Sequence, residues 1–145
     1  MTDMPIYMHF LYAFLATIGF AVFFNVPKST LFPCGVVGGI GWALYYFLFI
    51  TTNNNPLSNF IPALLVSALG EYLARKLKQP STVFVIPGII PLVPGLGMYK
   101  TMLYLIQNNY ELALSKGGDT LFVGGAISLG VLVVTSLVKT IKLHS

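Results

Sequence analysis

Apolar residues dominate the chain in runs about the length of a membrane crossing, separated by short polar or Pro/Gly-rich interruptions. A transmembrane helix takes about 20 apolar residues. On that measure the pattern predicts spans over residues 6–26, 31–51, 56–77 and 120–138. The first stops at Pro27-Lys28, and the third ends in the basic cluster Arg75, Lys76 and Lys78 before Pro80. Asn55 is expected to cap the third span, with Pro56 at its first helical position and Pro62 kinking it. Gly35-x-x-x-Gly39 in the second span, and Gly124, Gly125 and Gly130 in the last, read as small-residue faces that let helices approach closely.

The segment from Val83 to Gly97 breaks this regularity. It is apolar, yet it holds Pro87, Gly88, Pro91, Pro94, Gly95 and Gly97. Each interior proline removes a backbone donor and costs a helix about 3 kcal/mol. The segment therefore predicts either one broken span over 83–107 or a re-entrant stretch 83–97 followed by a crossing helix 98–114. Gln107, Asn108 and Asn109 read as a helix end. The expected fold is an all-α, polytopic integral membrane protein of about five membrane segments, forming a single transmembrane domain over 1–145.

Composition supports this reading. Of the 145 residues 56% are apolar and 8% charged, and the mean hydropathy is +0.82. A soluble domain carries about 25% charge. The charge is too sparse for a water-facing surface, and nucleic-acid binding is not expected. Short cytoplasmic loops carry excess Lys and Arg. An outside N-terminus puts Lys28, Arg75, Lys76, Lys78, Lys139 and Lys142 inside, with Lys116 in an outer loop and Lys100 in the membrane. The N-terminus lacks a basic leader pattern and reads as a retained span.

Irregular backbone at membrane depth survives only where protein or a water-filled cavity satisfies it. Transporters use such breaks to aim half-helix ends at substrate. A half-helix starting near Met98 offers free amides after Gly97, a positive dipole end, and Lys100 in its first turn. That set favours an anion, most simply a carboxylate, with Tyr99 and Thr101 able to add hydroxyl contacts. The competing reading of Lys100 is an anchor whose amine reaches one membrane face. Glu71 lies four residues before Arg75, so the two are expected to pair or to form a gate. Asp3, Glu111 and Asp119 fall in terminal or loop positions, leaving Glu71 as the acidic group at membrane depth. His9 and His144 read as isolated interfacial residues. One cysteine, Cys34, and two distant histidines cannot close a metal site. No phosphate-loop or nucleophile-elbow motif supports an ATPase or hydrolase, so no cofactor and no enzymatic role are expected.

The run from Pro80 through Pro87-Gly88, Pro91-Leu92-Val93 and Pro94-Gly95 to Tyr99-Lys100 resembles the signature of the threonine/serine exporter family, and in particular its small all-membrane module. Relatives often carry Tyr-Arg where this chain has Tyr99-Lys100, which keeps the cation and drops the bidentate fork. The resemblance implies secondary, proton-driven export of small carboxylate metabolites, either threonine and serine or C4-dicarboxylates such as succinate. It also implies a larger partner subunit and a bacterial or archaeal cytoplasmic membrane. Two rivals stand beside the carrier: a non-transporting assembly subunit, and a passive channel made by a homo-oligomer.

Overall fold

The computed structural model describes residues 4–143; Asp3, His144 and the Lys142 side chain lie outside the described set. Six α-helices follow one another: α1 (Ile6–Phe23), α2 (Leu31–Thr52), α3 (Asn55–Leu77), α4 (Thr82–Ile89), α5 (Gly95–Ile106) and α6 (Tyr110–Leu143). Two 3₁₀ turns, Lys28–Thr30 and Ile90–Leu92, join them, and no strand occurs among the described residues. Helices α1, α2, α3 and α6 are long and apolar enough to cross a membrane, and α4 with α5 forms a fifth candidate bent by 52°. The expected all-α polytopic membrane architecture is what the chain adopts.

Helix ends follow local chemistry. Helix α1 stops three residues earlier than expected, because Asn25 takes a left-handed conformation (φ 55°). The Asn25 and Val26 amides then turn back onto the Val22 and Ala21 carbonyls, a motif that satisfies otherwise orphaned groups. Asn108 (φ 58°) ends α5 in the same way. Asn54, not Asn55, caps α3: its side chain accepts from the Leu57 amide at 3.2 Å. Asn109 does the same for α6, accepting from Leu112 at 3.3 Å.

The largest departure from expectation is α6. The sequence predicts a loop around Lys116 and a last span starting near Thr120. The chain instead breaks at residues 107–109 and runs as one helix from Tyr110. Gly117-Gly118 does not interrupt it: Gly117 stands where a Cβ would meet the Thr101 methyl of α5 at 3.2 Å. A close neighbouring helix gives that glycine a packing role. Lys116, Asp119 and Glu111 are therefore helical residues, not loop residues.

Helix contact is most extensive between α1 and α2 and between α3 and α6. The glycine face of α2 lies on α1: added Cβ atoms at Gly35 and Gly39 would meet Phe14 and Phe10 at 2.8 and 2.7 Å, and one at Gly38 would collide with Thr17. Gly130 of α6 is pressed on α3: a Cβ added there would stand 2.8 Å from the Ala63 Cβ and 3.0 Å from the Phe60 carbonyl oxygen. A Cβ added at Gly124 or Gly125 would meet nothing within 4 Å, so these two do not form the close-packing face expected of them. Pro62 sits buried inside α3 without ending it.

Candidate functional site

The Pro/Gly segment resolves into three pieces whose backbone bonds can be counted. Pro87 lies inside α4 and cannot donate to the Val83 carbonyl one turn back. The Cys34 thiol of α2 donates to that carbonyl instead, at 3.2 Å. Pro91 and Pro94 likewise leave the Pro87 and Ile90 carbonyls without their α-helical donors. The tighter turn Ile90–Leu92 satisfies both: Ile90 donates to Pro87, and Val93 donates to Ile90 at 3.1 Å. The break proper is Val93-Pro94. Pro94 (φ −76°, ψ 59°) has the geometry of an inverse γ-turn, and the Gly95 amide closes it onto the Val93 carbonyl at 2.7 Å.

Helix α5 therefore begins at Gly95, three residues before the expected Met98. The Met98 amide is taken by the Pro94 carbonyl at 3.1 Å. The first-turn amides left without a backbone acceptor are those of Leu96 and Gly97. Lys100 stands in the second turn, not the first. Across the bend α5 keeps moving away from the end where α4 began. Gly97 lies against Thr120, and Thr101 lies against Gly117, so α5 climbs α6 toward its N-terminus. The two helices meet at a bend of 52°, which is the form of a broken span or of a re-entrant stretch.

A cavity of about 490 Å³ opens at the break. Pro91 to Gly97 form one wall with Lys100; Lys116, Asp119, Thr120 and Val123 of α6 form another. Trp42 and Tyr45 of α2 and Asn55 and Asn59 of α3 complete it. Asn59 is buried, with its amide held by the Asn55 carbonyl at 2.8 Å. Lys116 and Asp119 are 3.9 Å apart, a loose and exposed pair. Lys100 forms no ion pair among the described residues. Lys100 lines the same cavity as Leu96 and Gly97, the residues whose amides lack a backbone acceptor, and a cation with helix-start amides favours an anion.

Of the residues singled out from sequence, Lys100, Gly97, Gly95, Pro94 and Pro91 meet at this cavity. Tyr99 and Met98 point outward, 62% and 56% exposed. The Thr101 hydroxyl is spent on the Gly97 carbonyl at 2.8 Å. Pro87 and Gly88 are buried between helices. Sequence reasoning missed Asn59, Trp42, Lys116 and Asp119. Asp119, expected in a loop, lies on α6 at this cavity.

Glu71 and Arg75 lie at the opposite end of the bundle, in a second cavity of about 650 Å³ with Lys78, Gln79, Ser81, Thr82 and Lys139. They share its wall but form no ion pair among the described residues, so the expected pairing is absent. The Cys34–Val83 contact brings the start of α2, and with it Lys28, to this same end. The bundle thus has one strongly basic end and, at the other, a cavity holding both signs of charge.

An all-helical membrane bundle with a polar cavity at an interrupted span is the build of a transport protein rather than of a receptor stalk or an anchor. The family model described as "Threonine/Serine exporter, ThrE" matches residues 9–137, and the chain belongs to that family of exporter-type transporters. A Haemophilus influenzae protein described only as uncharacterised is 27% identical over 129 residues. That match covers 83% of this chain and 43% of the relative, so the chain spans less than half the relative's length. No solved structure matches.

Proposed function

We propose that this chain is the small membrane subunit of a secondary exporter for small carboxylate metabolites. The cavity at the Val93-Pro94 break is its carboxylate subsite. The observation that carries the reading is the convergence of Lys100 and the unengaged Leu96 and Gly97 amides on one cavity wall. These donors suit a carboxylate, and transport requires no bond to be made or broken. Threonine, serine and a C4-dicarboxylate such as succinate are the cargo candidates, and a proton gradient is the proposed driving force. A larger partner of the same family supplies the rest of the pathway, a view supported by the share of the relative that this chain covers.

The proposed orientation is N-out and C-in, in a bacterial or archaeal cytoplasmic membrane. Lys28, Arg75, Lys78 and Lys139 gather at one end, as cytoplasmic ends do, so the Lys100 cavity faces outward. The second cavity, with Glu71 and Arg75, is then the inner mouth.

The test is uptake of labelled threonine and of labelled succinate into inverted vesicles, with and without the larger partner. Lys100→Gln is expected to lower uptake by about ten- to a hundredfold, the equivalent of one charge-assisted hydrogen bond of about 1.5–3 kcal/mol. Unchanged uptake in Lys100→Gln and Lys100→Ala removes the subsite. Uptake that needs no gradient and does not saturate identifies a homo-oligomeric channel. Intact transport by the partner alone identifies an assembly subunit.

A further inference from the structure

His9 stands alone in the sequence but not in the fold. The indole Nε1–H of Trp42 donates to His9 Nδ1 at 3.3 Å, joining α1 to α2. An indole nitrogen can only donate, so Nδ1 is the unprotonated acceptor and the proton of the neutral ring sits on Nε2. That Nε2 is buried and has no hydrogen-bond partner. The imidazole stacks on Tyr46 with centroids 3.7 Å apart and planes 25° apart. Trp42 in turn packs on Tyr45, centroids 4.9 Å apart, and both line the cavity that holds Lys100.

Among the described residues, the elements packed against α1 bring no charged side chain to this imidazole, and the charges of the cavity that Trp42 lines are Lys100, Lys116 and Asp119. Facing α1 are α2, α4 and the turn Ile90–Leu92. Helix α4 and the turn carry no titratable side chain. Helix α2 carries Cys34, Tyr45 and Tyr46, of which Tyr46 is the one against the ring. On α1 itself Tyr7 and Tyr12 are exposed.

We propose that His9 is a proton-responsive positioning residue, whose charge state decides whether the Trp42 indole N–H is tied to α1 or free to serve the cavity beside Lys100. Taking up a proton at Nδ1 turns the acceptor into a donor, and two N–H groups then face each other. The bond breaks, the imidazolium is held against the face of Tyr46, and Trp42 gains a free donor at the cavity. Cargo that accepts from Trp42 then binds better to the protonated form, and by linkage promotes protonation. The role in transport rests on the carboxylate reading above; the switch itself does not.

Trp42 is the chain's single tryptophan, so its fluorescence reports the switch directly. The experiment is a cargo-free titration of indole emission in the liposome-reconstituted protein, over the range of about pH 5 to about pH 8 in which histidine ordinarily changes charge. Emission is expected to fall on acidification along a single-proton curve, and His9→Gln, which can still accept from Trp42, is expected to be flat. A flat wild-type curve overturns the proposal, as does a His9→Gln curve that still titrates. His9→Asn repeats the comparison if the Gln variant does not fold. In vesicles, His9→Gln and Trp42→Phe should each flatten the pH profile of uptake, and the double variant should add nothing further. A pH-responsive emission without any transport sinks the carboxylate reading and leaves the switch; transport with a flat emission does the reverse.

Discussion

The dipeptide Pro-Gly occurs twice within the same segment, and the two copies have opposite fates. Pro87-Gly88 lies buried inside α4, whereas Pro94-Gly95 ends one helix and starts another at the 52° bend. Intrinsic propensity is the same for both, so the neighbours decide. At Pro87 the missing amide is replaced from outside by the Cys34 thiol. Gly88 lets α2 and α3 close in, since a Cβ there would stand 2.9 Å from Val37 and 3.0 Å from Val66. At Pro94 no neighbouring group takes the Ile90 carbonyl; the chain itself tightens to reach it. A Cβ on Gly95 meets nothing within 4 Å. Of this pair, the proline whose carbonyl partner gains an outside donor stays helical, and the one without such a donor marks the break.

Substitutions should separate the two copies. The largest effect is expected from Gly88→Leu, which overfills the α2–α3–α4 junction and should cost about 1–3 kcal/mol, measured as a lower unfolding midpoint in detergent. Cys34→Ala should cost about 1 kcal/mol by leaving the part-buried Val83 carbonyl without the thiol donor, while Cys34→Ser should restore most of it. Pro94→Ala should leave stability within about 1 kcal/mol of wild type but straighten the bend. Its signature is reduced uptake in the vesicle assay without loss of folded protein. Gly95→Ala should change stability least, by about 0.5 kcal/mol or less. A Gly95→Ala variant as damaged as Gly88→Leu would show that the two sites are not distinguished by packing.

The sequence made the architecture readable because hydropathy over about 20 residues is a strong local signal. The broken segment was readable for the same reason: prolines 87, 91 and 94 are local facts about missing donors. The place of the break was not, because it depends on Cys34, which lies 49 positions from Val83. Charge misled the reading of α6. Lys116, Gly117, Gly118 and Asp119 resemble a loop in one dimension. In the fold the two charges sit one turn apart on a helix, and Gly117 accommodates α5. His9 reads as a lone interfacial residue in the sequence because its partner, Trp42, is 33 positions away. Half of the cavity wall was likewise invisible: Asn59 and Asp119 join Lys100 only through helix packing.

The thiol on α2 has a practical consequence for anyone probing this protein with sulfhydryl reagents. The usual first step, replacing native cysteine with alanine, would here pull a stitch from the backbone of another helix and could change the very segment under study. Serine is the substitute that preserves the stitch, so labelling of engineered positions such as 92 or 100 belongs in a serine-replaced background.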